Sequence, residues 1–493
     1  MARRVRGVKS KAFPTVAHVS DGENPCIELT DFGSWTVGAA ALEIGLDKSK
    51  LDSARPAIIT TFIELNAPLL EQFGVTAAPV FSELGEPRIR FDTSDYIGAT
   101  PLVSPTTGNF DLELIIKPRV GWKGLGPMLN TMGMKIVPEL LRVAPLPRSD
   151  REIPSWVIAS VVISRLESLL NDMSRKYELR HEVLQSPRGR IHWAEYAAKL
   201  CPQMRFAELP CEFTVLEEDR RLMGIIHFTL RMLRNDLTAQ LGNGDVVWML
   251  ISRIEKLLRR VGVYPAVSPT AHVLHKWLYT GVQPLALDPA LESIRWIAES
   301  RGLAGLADLN GLPWKMSMSA FFEAYVETVV KAAARYSGGE VLTGRLHETE
   351  MSILWDGRIG ASQKSLIPDV VIKRGSQTVV VDAKFKRFKQ QMSVQEWCDF
   401  PEVMRDEHRE DLLQVLAYTT CFSEMPLSAC LVYPVENDLY EDLKGRKLLH
   451  QHASLYENGR DIDVMLTAIP MRGNIDELAK EFAESLIELR DDG

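Results

Sequence analysis

The sequence predicts an α+β chain of several domains. A β-rich N-terminal region spans residues 1–110, a mainly helical middle 111–310 and an α/β domain 311–493. Three observations predict it. The first hundred residues are rich in Pro, Gly and Thr and carry short alternating apolar runs such as PRIRFDTSDYIGAT (87–100). From Pro154 to about residue 310, apolar residues recur at three- and four-residue steps. Beyond the boundary loop LNGLPW (309–314), helix-like and strand-like segments alternate, as in an α/β domain. A length of 493 residues suits about two to four domains.

In chain order, ITTFIELNAPLLEQF (59–73) reads as the one helix of the N-terminal region. GNFDLELIIKPRVGWKGLGPMLNTMG (108–133) reads as a strand, a Pro-containing turn and a helix. PSWVIASVVISRLESLLNDMSRKY (154–177) opens with Pro in a first helical turn, and residues 221–237 and 245–262 repeat its helical period. After residue 314 come a helix, paired strands, a helix, a strand and a closing helix at 474–490.

Composition removes several classes. The chain is 46% apolar and 25% charged, as ordinary globular proteins are. No apolar run approaches the roughly 20 residues that cross a bilayer, and the basic start MARRVRGVKSKAFP lacks a secretory apolar stretch, so a cytoplasmic location without a membrane is expected. Six cysteines (26, 201, 211, 398, 421 and 430) show no CxxC pairing, which predicts reduced thiols and no structural zinc built on cysteine. His272 and His275 stand at helical spacing, but no third ligand is near them. A net charge of −8 excludes a protein coated in positive charge and leaves room for a local basic groove. Among the basic clusters, KFKRFK (384–389) is the one whose neighbours suggest a nucleic-acid contact.

Those neighbours carry the chemistry. In IPDVVIKRGSQTVVVDAKFK (367–386), two β-rich runs flank KRGSQ, a hairpin signal with Gly375 in the turn. Side chains alternate along a strand, so Asp382 and Lys384 share a face, about 7 Å apart along it. Asp369 opens the first strand, thirteen positions before Asp382, and the hairpin can set the two carboxylates side by side. Crowded carboxylates repel, and a cation between them relieves the repulsion. Mg²⁺ takes oxygen ligands and keeps waters of its own, which suits two carboxylates and a backbone carbonyl. A lysine on the same face can hold or activate a water against a phosphodiester. The plainer alternative is a turn-forming Asp369 and a surface Asp382–Lys384 ion pair. Two further segments weigh against it. In MSMSAFFEAYVETVV (316–330), Ser317 or Ser319 can cap a helix whose buried stripe is Phe322, Val326, Val329 and Val330. Glu323 shares that stripe's edge and needs a partner or metal, whereas Glu327 reads as an ordinary surface residue. In EDLLQVLAYTTCF (410–422), Gln414 and Tyr418 share a helix face at i, i+4, with Leu412, Leu413, Leu416 and Ala417 as packing residues.

The order Glu on a helix, PD, DxK on the adjacent strand and QxxxY on a helix resembles the PD-(D/E)xK nuclease superfamily, in the form also seen in RecB-like nucleases. SPRGRIHWAEYA (186–197), CEFTVLEEDRRLMGIIHFTLRML (211–233), FFEAYV, the hairpin, DLLQVLAY and ACLVYP follow one another as in the McrC family, the nuclease subunits of McrBC-type modification-dependent restriction systems. LELIIKPRVGWKGLGPML (112–129) extends the resemblance, which covers about residue 110 to the end. It implies a restriction-endonuclease-like C-terminal domain that cleaves double-stranded DNA with Mg²⁺, or Mn²⁺ as a substitute. Asp369, Asp382 and Glu323 become the metal carboxylates, Lys384 the catalytic lysine, and Gln414 and Tyr418 the QxxxY pair. Gly189 and its flanking arginines fall on a family segment with no role assigned. The resemblance also implies a hexameric AAA+ motor as partner, McrB-like and driven by GTP or ATP, docked on the N-terminal portion. The chain has no GxxxxGK[ST] loop, so any NTPase must be that partner. Two other functions stay open: a stand-alone RecB-like repair nuclease, and a non-catalytic activator of an AAA+ ATPase. The segment from 385 to 410 can serve as a DNA-contacting loop or a partner contact.

Overall fold

A computed structural model describes residues 15–16, 18–19, 26–42, 51–133, 135–141, 156–173, 176–217, 219–239, 245–270, 286–298, 313–355, 363–386, 402–423, 426–457 and 460–488. His272, His275, Cys398, the basic N-terminal start and residues 387–401 lie outside them.

In chain order the elements are β1 (Cys26–Thr30), β2 (Ser34–Gly38), α1 (Leu51–Gln72), β3 (Thr76–Phe81), β4 (Pro87–Asp92), β5 (Tyr96–Leu102), β6 (Leu112–Lys117) and α2 (Gly121–Met132). Next come α3 (Trp156–Asp172), β7 (Lys176–Leu184), β8 (Arg190–Ile191), β9 (Leu209–Glu217), α4 (Arg220–Thr238), α5 (Asp245–Val261) and α6 (Leu287–Ala298). The last part holds β10 (Trp314–Ser317), α7 (Met318–Ser337), β11 (Glu340–Thr343), β12 (Val370–Arg374), β13 (Gln377–Ala383), α8 (Glu402–Thr419), β14 (Leu427–Val435), α9 (Asn437–Gly445), β15 (Gln451–Glu457), β16 (Arg460–Pro470) and α10 (Asp476–Glu488). The chain is thus mixed α and β. Among the described residues no helix is long and apolar enough to cross a membrane.

Contacts divide the chain into two compact units: residues 1–154, 244–246 and 306–493 make one, and 155–243 with 247–305 the other. Segments expected as separate N- and C-terminal domains therefore share a unit. The reason is a strand the sequence reading missed: β10 pairs antiparallel with β5, Trp314 opposite Ala99 and Ser317 opposite Tyr96. Trp314 is fully buried there. Four residues are too few to show a period, so LNGLPW read as a loop.

The sheet that carries the hairpin has the order β11-β12-β13-β14-β16-β15. β13 and β14 run parallel, as do β14 and β16, while the outer pairs are antiparallel. Every residue of β13 and of β14 is buried. Strands covered on both faces read as continuous apolar runs, which is why VVVDA and ACLVYP carry so little alternation. Helix α8 covers one face, its Val415 and Tyr418 joining Val380, Ala429, Leu431, Tyr433 and Val464 in one core, with Leu412 and Leu416 at its edge. Leu413 and Ala417, expected to pack, face solvent on the opposite side of the helix. Helix α7 begins on Ser317, whose Oγ accepts the Ala320 N–H at 3.1 Å, and packs against α10. Phe322, Val326, Val329 and Val330 are buried as expected.

The second unit adds a sheet to the mainly helical middle that the sequence predicts. Besides α3, α4 and α6, it holds a three-stranded antiparallel sheet ordered β7-β9-β8. KYELRHEVL and LPCEFTVLE alternate at period two, and the helical periodicity of the segments around them overshadows the strand signal.

Gly375 and Ser376 form the two-residue loop between Arg374 and Gln377. Gly375 has φ +59°, and open space surrounds the position of a Cβ. Backbone conformation alone then sets the cost of a side chain. Gly375→Ala should destabilise the fold by about 1 kcal/mol, and Gly375→Asn by less. Urea unfolding midpoints of the two variants check this; equal stability of wild type and Gly375→Ala contradicts it.

Candidate metal and phosphodiester site

Hairpin register builds the site. Val370 pairs with Val381, so one step further Asp369 falls opposite Asp382. The Ala383 N–H donates to Asp369 Oδ2 at 2.8 Å and fixes that carboxylate beside the end of β13. Gly344 N–H donates to the Asp369 carbonyl at 2.9 Å, anchoring the backbone from the other side. Lys384 lies just past β13, and its N–H donates to Val432 O of β14 at 2.8 Å. Its ammonium reaches back to Asp382 Oδ2 at 2.7 Å.

From Lys384 a chain of contacts runs to α8. Lys384 Nζ donates to Gln414 Oε1 at 2.8 Å, and Gln414 Nε2 donates to Tyr418 OH at 2.8 Å. The i, i+4 spacing thus makes Gln414 a link between the lysine and the buried tyrosine. A second network, which sequence reasoning missed, lies beside it. Lys386 Nζ donates to Asp411 Oδ1 at 2.8 Å, Tyr433 OH donates to Asp411 Oδ2 at 3.3 Å, and His408 Nδ1 lies 3.1 Å from Tyr433 OH. Asp411 and His408 are buried. Their i, i+3 spacing on α8 was the available signal. Of the KFKRFK cluster, Lys384 and Lys386 are therefore ion-paired internally. Phe385 between them is core: its ring lies 5.6 Å from Phe32 and 5.9 Å from Phe322, with the Arg119 guanidinium 4.4 Å above it.

Of the two glutamates of α7, Glu327 departs from the character expected of it. Glu327, read as a surface residue, is buried and meets Lys135 at 2.9 Å, Lys331 at 2.8 Å and Arg345 at 3.4 Å. Burial pushes its pKa up, but the lysines outweigh burial and hold it below the usual range. Glu323, one turn earlier, is partly buried and faces the hairpin. Burial raises its pKa; Lys384 opposes and Asp382 adds to the rise.

Asp369 is held well above the ordinary carboxylate range by burial, then by the charges of Asp382 and Glu323. Asp382 is raised too, again first by burial, with Lys384 opposing. Burial disfavours the charge on Lys384, yet Asp382 and Asp369 outweigh it and keep the ammonium protonated.

The donor set fits a hard divalent cation. Asp369 and Asp382 supply opposed carboxylates whose charge burial disfavours, and Asp382 Oδ2 has the Lys384 ammonium at 2.7 Å as its counter-charge. Two carboxylates crowded where their charge is disfavoured are relieved further by a divalent cation. Glu323 stands further out: the three carboxylates do not gather within 4.8 Å of one another, whereas His181, His192 and Glu212 of the second unit do. Two carboxylates suffice for an ion that keeps several waters.

Residues 314–434 match the McrBC family, described as the McrBC 5-methylcytosine restriction system component, and all six residues discussed lie inside that span. Among solved structures, the chain is similar to one in the half-complex from the tetradecameric assembly of Thermococcus gammatolerans McrB AAA+ hexamers with bound McrC. The identity is 14%, the coverage 94% of this chain and 100% of that one, and the TM-score 0.39. A chain of the Thermococcus gammatolerans McrBC complex is 15% identical, over 62% of this chain and 88% of that one, with a TM-score of 0.25. Neither score establishes a shared fold. None of the curated proteins compared matches.

A carboxylate whose folded pKa is raised binds its proton more tightly in the native state, so native stability falls as pH rises from the unfolded value through the folded one. In metal-free buffer, Asp369→Asn should therefore unfold at a higher temperature than wild type at neutral pH, and the gap should close towards pH 4. Parallel thermal melts across this range check it; a variant less stable than wild type at pH 7 contradicts the reading.

Proposed function

With residues 314–434 belonging to the McrBC family, we propose that this chain is the DNA-cleaving subunit of a McrBC-type restriction system. Its endonuclease site is built on Asp369, Asp382 and Lys384 and works with Mg²⁺. The observation that carries the reading is the opposition of the half-buried Asp369 and the buried Asp382 across the hairpin, with the Lys384 ammonium 2.7 Å from Asp382. Bound between them, the cation would supply Lewis-acid stabilisation to a phosphodiester.

The chain's own residues do the rest. Asp369 and Asp382 hold the cation, and the Ala383 N–H keeps Asp369 aimed. With a cation held by the aspartates, the Lys384 ammonium would be free to face the scissile phosphate, where a fixed positive charge would stabilise the negative charge that develops. Gln414 holds it there and Tyr418 holds Gln414. Glu323 adds negative potential at the edge of the site.

Double-stranded DNA is the substrate class, and an AAA+ hexamer is the partner that delivers it. A net charge of −8 makes unaided capture of DNA weak at physiological salt. The sequence holds no phosphate-binding loop of its own, and the solved assemblies above combine McrC with McrB AAA+ hexamers.

Two outcomes test this. Asp382→Ala should abolish Mg²⁺-dependent cleavage of 5-methylcytosine-containing duplex in the presence of an AAA+ partner while leaving NTPase stimulation unchanged; full cutting by the variant removes the assignment. Lys384→Ala should lower turnover by about 10²-fold or more with DNA binding little changed. Equal loss of binding and turnover makes Lys384 an anchor instead. Nucleotide-independent cutting of unmodified DNA by the chain alone would favour a stand-alone nuclease.

A further inference from the structure

The three-stranded sheet of the second unit gathers ligand-type side chains that the nuclease reading does not use. His181 on β7 pairs in register with Glu212 on β9. Arg190 on β8 pairs with the same Glu212 from its other side, and two residues on, His192 Nε2 lies 3.3 Å from Glu212 Oε2. The His181 and His192 rings are 4.7 Å apart, inclined at 65°. One ligand atom from each of His181, His192 and Glu212 lies within 4.8 Å of the others. Glu195 adds a second carboxylate, Oε2, 2.7 Å from His181 Nε2.

We propose that His181, His192 and Glu212 form a site for a divalent transition-metal ion of the zinc class. Four observations support it. Two ligand atoms on a tetrahedron with bonds of about 2.0–2.1 Å are separated by about 3.3 Å, the separation of His192 Nε2 and Glu212 Oε2. His192 Nε2 is buried and makes no hydrogen bond, although a carboxylate oxygen is in front of it. Two protonated imidazoles at 4.7 Å would repel, whereas two neutral ones coordinate a single ion. Imidazole with carboxylate suits zinc over calcium or magnesium, which take oxygen alone.

The backbone is shaped for the cluster. Gly189 has φ +67°, and a Cβ there would come within 2.4 Å of the Glu212 carbonyl oxygen. Only glycine lets the chain lie this close on β9 and deliver His192 to Glu212. Strand β8 is otherwise held by two register pairs. Small sheets of this kind gain stability from a metal or disulfide staple, and this ion would tie all three strands together. His181 is 42% exposed, so the ion has an entry path.

Zinc titration of the full, metal-stripped chain by calorimetry, in excess Mg²⁺, tests the site. We expect one Zn²⁺ per chain, with affinity lowered about 10²-fold or more in His181→Ala and in His192→Ala and unchanged in Asp382→Asn. X-ray absorption of the zinc-loaded wild type decides the ligands even if a variant fails to fold: two imidazoles in an all-nitrogen-and-oxygen shell are expected. No uptake of Zn²⁺, uptake unaffected by both histidine variants, or sulfur in the shell overturns the proposal.

Discussion

Two like charges set opposite each other inside a sheet are the constraint from which this site follows. Hairpin register places the half-buried Asp369 opposite Asp382, and burial on both faces of β13 denies Asp382 water. Such a pair is unfavourable unless protonated or countered by positive charge. Lys384 supplies one such charge at 2.7 Å and is itself kept protonated by the pair. A proton and the lysine thus compete for the same two carboxylates, and on the proposed reading a divalent cation would join that competition and be bound more firmly because binding removes the repulsion.

The rest of the unit supports that hairpin. Ser317 caps α7, and Asp95 from the N-terminal part accepts from Ser317 Oγ at 2.7 Å. Lys135 joins Lys331 and Arg345 on the buried Glu327, tying α7 to the segment after α2. Arg119 lies over Phe385, next to Lys384. Residues before position 140 therefore buttress the helix that carries Glu323 and the turn that carries Lys384. This gives a physical reason why the N- and C-terminal parts form one unit: residues from the first part fix the second part's functional elements.

The hairpin, the Gly375 turn and the meeting of Asp382 with Lys384 were legible because each rests on local spacing. Tyr418 and Gln414 were legible for the same reason. What the sequence hid depends on long-range packing. Glu323 and Glu327 sit on one helix with similar neighbours, and nothing local says which of them will meet Lys135, 192 positions away. Strand β10 has four residues and no period to detect. Residues Lys176–Leu184 and Leu209–Glu217 carry a period-two alternation that the helical periodicity of the segments around them overshadowed. The His181, His192 and Glu212 cluster assembles only once those strands pair.

The most direct test of the central claim, that the opposed aspartates are a cation site, is anomalous diffraction from crystals of the chain soaked in Mn²⁺. The account predicts one peak between the Asp369 and Asp382 carboxylates, about 2.0–2.3 Å from an oxygen of each, with Lys384 drawn away from Asp382. Saturating Mn²⁺ with no density there, and the Lys384–Asp382 contact intact, would contradict it.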